Sequence, residues 1–193
     1  MKFETGDQTD QRLIQALQHE YRRSTDAFAD FLACAPVLVT GGGDRDLRYA
    51  AYNAYARLLH HLYEFLMGCA ARRRGDTRPL RANEAEALIT DHLQRILNAR
   101  RTVILAGRAQ PWENGLEAYP ETAPSGFASA FRRCRNITQA HVAADRSTLD
   151  LSDFYQRNHG FIVMMLEDAA LAWGPREGGF PDLGAVTGFS ISA

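Results

Sequence analysis

DRDLRYAAYNAYARLLHHLYEFLMGCAARR, residues 44–73, decides the fold class. Leu47, Ala51, Tyr55, Leu58, Leu62, Phe65 and Cys69 recur along it at intervals of three or four, the spacing that returns side chains to one face of an α-helix. Arg72, Arg73 and Arg74 stand where cations complement the carbonyl end of a helix dipole, and Gly75 stops the run. The pattern predicts one long helix from about Asp44 to Arg73.

Its neighbours read the same way. Upstream, Leu13, Ile14, Leu17, Tyr21, Phe28, Phe31 and Leu32 predict a helix from about Thr9 to Ala35 that Pro36 ends, followed by a flexible turn at Gly41 to Gly43. That glycine run lacks the downstream Lys-Ser/Thr of a phosphate-binding loop. Downstream, Asn83 with Glu86 three residues later resembles a capping box, and Leu88, Ile89, Leu93, Ile96 and Leu97 carry a third helix to about Leu105, with His92 partly buried and satisfied beside the stripe. Residues 107–125 contain Pro111, Pro120 and Pro124 and show no periodicity, so they read as a long loop. Trp112 and Tyr119 in this loop either stack on bases beside a site or pin the loop to the bundle. Ser125 is the expected cap of a fourth helix carrying Phe127, Phe131, Cys134 and Ile137. After the charged connection Asp145 to Asp150, Ser152 is the expected cap of a fifth helix, with Phe154, Phe161, Ile162, Met165, Leu166, Ala169 and Trp173 on its face. Residues 174–193, rich in glycine and proline, are expected to be an extended tail. The reading is therefore all-α: a five-helix up-down-type bundle without significant sheet, one domain over residues 1–173.

Composition excludes other classes. At 193 residues, 46% hydrophobic and 23% charged, the chain is long enough for a real core and is neither disordered nor fibrous. A net charge of -1 announces no overall basic field, yet Lys2 is the only lysine. The arginines cluster at Arg72 to Arg74 with Arg78 and Arg81, at Arg100 and Arg101, and at Arg132, Arg133 and Arg135. They are either solvated helix ends or a local phosphate-tracking surface. Cys34, Cys69 and Cys134 sit beside apolar residues without a C-x-x-C pair and read as reduced, buried thiols. The N-terminus lacks the apolar run of a signal peptide, and the longest uncharged apolar run, Phe161 to Leu166, is too short to span a membrane. A cytoplasmic protein is expected.

The chemically capable residues gather in FRRCRNITQAHVAAD, residues 131–145. Arg135 and His141 are six residues apart, which on a continuous helix leaves them roughly 120° apart, flanking the apolar stripe. A guanidinium grips a phosphate with paired hydrogen bonds and an imidazole gives or takes a proton near neutrality, a combination suited to phosphodiester chemistry. On the second helix Asn53, Arg57, His60 and Glu64 form a polar stripe. It is either a solvated face with an Arg57 to His60/Glu64 cluster, or the second wall of a polar groove facing Arg135.

The run R-N-I-T-Q-A-H resembles the signature of the HEPN superfamily (higher eukaryote and prokaryote nucleotide-binding domains): an arginine, often a polar residue after it, and a histidine after four to six residues. Arg135, Asn136 and His141 match those positions. The resemblance implies a helical bundle, commonly dimeric, in which many members cleave RNA without a metal or other cofactor. It implies His141 as general acid or base, Arg135 as the group neutralising the phosphate oxygens, Asn136 as an orienting amide, and Glu64 as the acidic residue opposite the signature. It further implies a homodimer with a composite site and a possible separate antitoxin or nucleotidyltransferase partner, in a toxin, defence or stress setting. Within the family the alternative is a non-catalytic nucleotide-binding or protein-interaction module. A metal-dependent bundle enzyme resembling the DinB-like or ferritin-like groups would instead gather His60 or His61, His92, His141 and His159, although no Glu-x-x-His pair is present.

Overall fold

The computed structural model describes residues 1–113, 115–140 and 144–173. Among these there are five α-helices, no strand and one isolated bridge between Lys2 and Asp76. The fold is an all-α bundle. The expected tail, residues 174–193, and the side chain of Trp173 lie outside the described residues.

α1 (Gln8–Val39) and α2 (Arg45–Arg74) form a long antiparallel hairpin. Its register is set by pairs whose numbers fall on α1 as they rise on α2: Asp30 with Arg57, Glu20 with His61, Tyr21 with Phe65, and Asp10 with Arg72. Asp7 caps α1, accepting from the Asp10 amide at 2.9 Å, and Asp44 caps α2, accepting from the Leu47 amide at 2.8 Å. The helices meet closely at Gly68, where a Cβ would lie 2.6 Å from Leu17 Cδ2. Pro36 does not end α1. The helix continues one turn past it because Leu38 packs on the core and Thr40 Oγ1, Gly41 N and Gly42 N close the terminal carbonyls of Val37 and Leu38.

α2 is the central helix. Its buried residues are Ala51, Ala54, Tyr55, Ala56, Leu58, Leu59, Leu62, Tyr63, Phe65, Leu66 and Ala70, which cover more of its circumference than the single stripe expected. A helix apolar on most sides is one surrounded by others. α1, α3, α4 and α5 all pack on it.

α3 (Ala82–Leu105) starts two residues earlier than the sequence suggested. Glu84, not Glu86, reaches back to the Arg81 amide at 2.7 Å, and Glu86 is engaged by Arg132 of α4 (Phe127–Arg135), also at 2.7 Å. α4 begins after Gly126 rather than after the expected cap Ser125, and the φ of 83° at this cap position is open to glycine and costly for a serine. α5 (Leu151–Trp173) also starts two residues early: Asp150 accepts from the Asp153 amide at 2.8 Å, so Ser152 lies inside the helix.

The long loop folds back along α3. Arg101 Nη1 donates to the Tyr119 carbonyl at 2.6 Å, Gln94 Nε2 to the Glu121 carbonyl at 2.8 Å, and the Ala123 amide to Gln94 Oε1 at 2.8 Å. These bonds bring α4 back antiparallel to α3. No described helix is long and apolar enough to cross a membrane.

Candidate functional site

The expected continuous helix through the signature gives way at its first residue. α4 ends at Arg135, and Asn136–Ala140 form a π-helical turn, a wider winding that occurs mostly as single turns and is frequent at functional sites. Buried Thr138 donates its hydroxyl to the Cys134 carbonyl at 2.7 Å, competing with the regular ladder, and Arg146 Nε donates to the Ile137 carbonyl at 2.9 Å. The 120° separation worked out for Arg135 and His141 therefore does not apply. His141 lies outside the described residues.

Arg135 is the centre of what is described. Its Nη1 donates to Asn136 Oδ1 at 2.8 Å, its Nη2 pairs with the Glu64 carboxylate, and the guanidinium lies 5.2 Å from the Tyr63 ring centroid. Its Nε is buried without a partner among the described residues. The site thus joins Arg135 and Asn136 of the signature segment to Tyr63 and Glu64 of α2. Tyr63 is itself fixed edge-on against Phe131, centroids 5.7 Å apart, one turn before Arg135.

His60 lies one turn before Glu64, half-buried. Burial holds its pKa below the ordinary value, helped by His61 and Arg135 and opposed by Glu64 and Glu20. It is neutral at neutral pH, and its Nδ1 is buried without a partner among the described residues. Arg57, expected with His60 and Glu64, points away and pairs with Asp30 of α1 at 2.9 Å on the surface.

Sequence reasoning missed Glu20 and Tyr63, and named His61 only as a metal-ligand alternative, not as the partner of Glu20. His61 Nδ1 meets Glu20 Oε2 at 2.8 Å, its ring 5.0 Å from that of His60. Burial pushes the Glu20 carboxyl up, but the bond and charge of His61 with Arg23 and His19 outweigh it, so the net shift is down. The only signal for this pair is the antiparallel register of α1 on α2. A cleft of about 530 Å³ runs along these residues, bordered by Leu13, Glu20, Glu64, Gly68, Arg74 and Arg135.

Many of the clustered arginines already have partners. Arg72 pairs with Asp10 at 2.7 Å, Arg78 with Asp76 at 2.7 Å, Arg132 with Glu86, and Arg100 with Glu113 at 2.8 Å and Glu167 at 3.1 Å, while Arg74 donates to the Asp76 and Arg78 carbonyls. These serve the helix-end role rather than a free phosphate track. The loop aromatics also separate. Tyr119 is 5% exposed and belongs to the core, so no base can stack on it in this conformation. Trp112 is 82% exposed but adjoins Glu113, which pairs with Arg100 near the far end of α3 from Glu86 and Arg132.

The described histidines of the metal-enzyme alternative, His60, His61, His92 and His159, do not gather at one site, and His141 lies outside the described residues. His92 Nε2 is 3.5 Å from Asp168, and His159 stacks on Tyr155 at 4.4 Å within a cluster of aromatic rings. Among the described residues no three His, Cys, Asp or Glu side chains are placed to share a metal ion.

No family model, curated protein or solved structure matches the chain. The site is read from its own residues.

Proposed function

We propose that the chain is a HEPN-like, metal-independent RNA endonuclease, cytoplasmic, working as a twofold dimer and restrained by a separate antitoxin or nucleotidyltransferase partner. The observation that supports this reading is the position of Arg135: half-buried, over the Tyr63 ring, bonded to Asn136 and bordering an open cleft. A guanidinium so oriented faces a phosphate with little rotational freedom left to lose. In the reaction a ribose 2'-hydroxyl attacks the adjacent phosphorus, the 5'-oxygen leaves, and a cyclic phosphate forms. His141 moves one proton and its copy across the dimer the other, while Arg135 neutralises the non-bridging oxygens as charge builds. Asn136 fixes the guanidinium. Glu64 holds it until a phosphate takes the carboxylate's place.

The pairing of Arg135 with Glu64 also favours a second reading, a non-catalytic interaction module whose signature arginine is spent on the fold. Cleavage of a mixed RNA pool in chelator separates the two. Wild type is expected to leave cyclic-phosphate ends, with Arg135→Ala and His141→Ala folded and inactive. Intact RNA in all three, or equal cutting by all three, rejects the nuclease.

A further inference from the structure

A second concavity lies at the other end of the α1–α2 hairpin, where the start of α5 meets it. It encloses about 450 Å³ and is walled by Phe31, Leu38, Ala51, Tyr52, Tyr55 and Tyr155. This is the size and lining of a small-molecule site: mostly apolar and aromatic, with a few placed polar groups. The polar groups here are unusual in being unspent. Tyr55 is 2% exposed, and its hydroxyl has no hydrogen-bond partner among the described residues. An unpaired buried hydroxyl costs about 1–3 kcal/mol, which a ligand atom accepting its proton would recover. At the mouth stands Arg48, exposed, with no carboxylate paired to it among the described residues, beside Ser152 and Gln156.

Phe31, Tyr55 and Tyr155 lie 5.0–5.6 Å apart, centroid to centroid, so the inner wall is rigid. Burial raises the Tyr55 pKa far above its ordinary value, so the group stays a neutral donor at any working pH. Flat apolar walls select an aromatic body, the buried donor selects an acceptor on that body, and the free guanidinium at the rim selects an anion. Protein and nucleic-acid occupants fit less well. The space is open to solvent between three helices and carries one cation among the described residues, too few for a phosphate backbone.

We propose that this pocket binds a small aromatic carboxylate, its ring against Phe31, Tyr52 and Tyr155, an acceptor on the ring at the Tyr55 hydroxyl and its carboxylate on Arg48. The pocket shares no lining residue with the cleft at Arg135, so its test leaves the nuclease reading untouched.

The test is a fluorescence titration of the full chain with 6-hydroxy-2-naphthoate, alongside 2-naphthol, which lacks the acid. The acid is expected to saturate at one molecule per chain and to raise the melting temperature. Arg48→Gln, a change at an exposed residue, weakens the acid by roughly tenfold and leaves 2-naphthol unaffected. Tyr55→Phe weakens both ligands by about fivefold, and Ala51→Trp, which fills the space, abolishes saturable binding. Absence of saturable binding by wild type overturns the proposal. So does equal affinity of wild type and Arg48→Gln for the acid, which would mean a ring bound without its anion being read.

Discussion

Replacing Glu64 with Gln asks whether the carboxylate anchors Arg135 or merely lies beside it. The magnitude follows from the surroundings. Two unit charges about 4 Å apart attract by about 4 kcal/mol at an effective dielectric near 20. The Glu64 side chain is 35% exposed and that of Arg135 20%, so water screens part of this attraction, and the guanidinium keeps the Asn136 bond and the Tyr63 face in the variant. The pair lies between surface bridges, worth about 0–1 kcal/mol, and buried ones, whose breakage costs about 3–5 kcal/mol. A coupling of about 1–2 kcal/mol is expected. It is measured by a double-mutant cycle of Glu64→Gln, Arg135→Gln and the double variant, with urea unfolding followed by circular dichroism. With an m-value of about 2–3 kcal/mol/M, each single change should lower the midpoint by about 0.5–1 M, and the double variant should cost less than the sum. Coupling below about 0.3 kcal/mol would refute the anchoring. The same variant then reports on function. A short single-stranded DNA has no 2'-hydroxyl and so binds without being cut by the proposed chemistry. Freed of its carboxylate, Arg135 should bind this probe about three- to tenfold more tightly. Weaker binding would mean that Glu64 aims the guanidinium rather than guarding it.

Arg101→Ala removes the 2.6 Å bond to the Tyr119 carbonyl and the 3.0 Å pair with Glu121, so limited proteolysis should begin to cut within residues 107–125 at protease levels that leave wild type intact. A loop no more sensitive than wild type would show that Gln94 holds it alone. Burial is the leading cause lowering the pKa values of His19, His60, His92 and His159. Between their folded values and about 6.5 the unfolded chain binds more protons, so stability is fully present above pH 6.5 and is lost as pH falls through that value. His159→Phe keeps the ring among Phe28, Phe31, Tyr55 and Tyr155 and should flatten the loss between pH 6.5 and 5 by at most about 1.4 kcal/mol per pH unit, read from urea midpoints. An unchanged slope would show that His159 titrates alike in both states.

What the sequence disclosed and what it withheld divide along physical lines. Helices α2, α3 and α5 are legible because their apolar residues repeat with the helical period over many turns. Their ends are not, because a terminus depends on which competing group wins. Glu84 rather than Glu86 caps α3 since Arg132, distant in sequence, claims Glu86. α1 outruns Pro36 since packing of Leu38 outweighs one missing hydrogen bond. The site shows the same division. Glu64 stands on the polar stripe of α2, and it meets Arg135. Arg57, seven residues earlier on the same predicted stripe, meets Asp30 instead. A one-dimensional stripe does not say which neighbour each turn faces. Glu20 and His61 form no local pattern and become a pair only when α1 lies antiparallel on α2.

The π turn connects the bundle's core to the site's chemistry. Phe127 and Phe131 are buried one turn apart on α4, and Phe131 fixes Tyr63 edge-on. A regular helix would continue that apolar face into the next turn. Instead the winding widens at Asn136 just after Arg135, while Ile137 and Thr138 remain buried. The change of winding allows one segment to keep its apolar anchors in the core while Arg135 and Asn136 bond to each other and reach Glu64. The guanidinium is therefore placed by aromatic packing as well as by charge: it lies over the Tyr63 ring, and Tyr63 packs edge-on against Phe131. In a chain with a net charge of -1, and with its clustered arginines largely spent on carboxylates and carbonyls, an arginine placed in this way relies on local pre-organisation rather than on a general basic field.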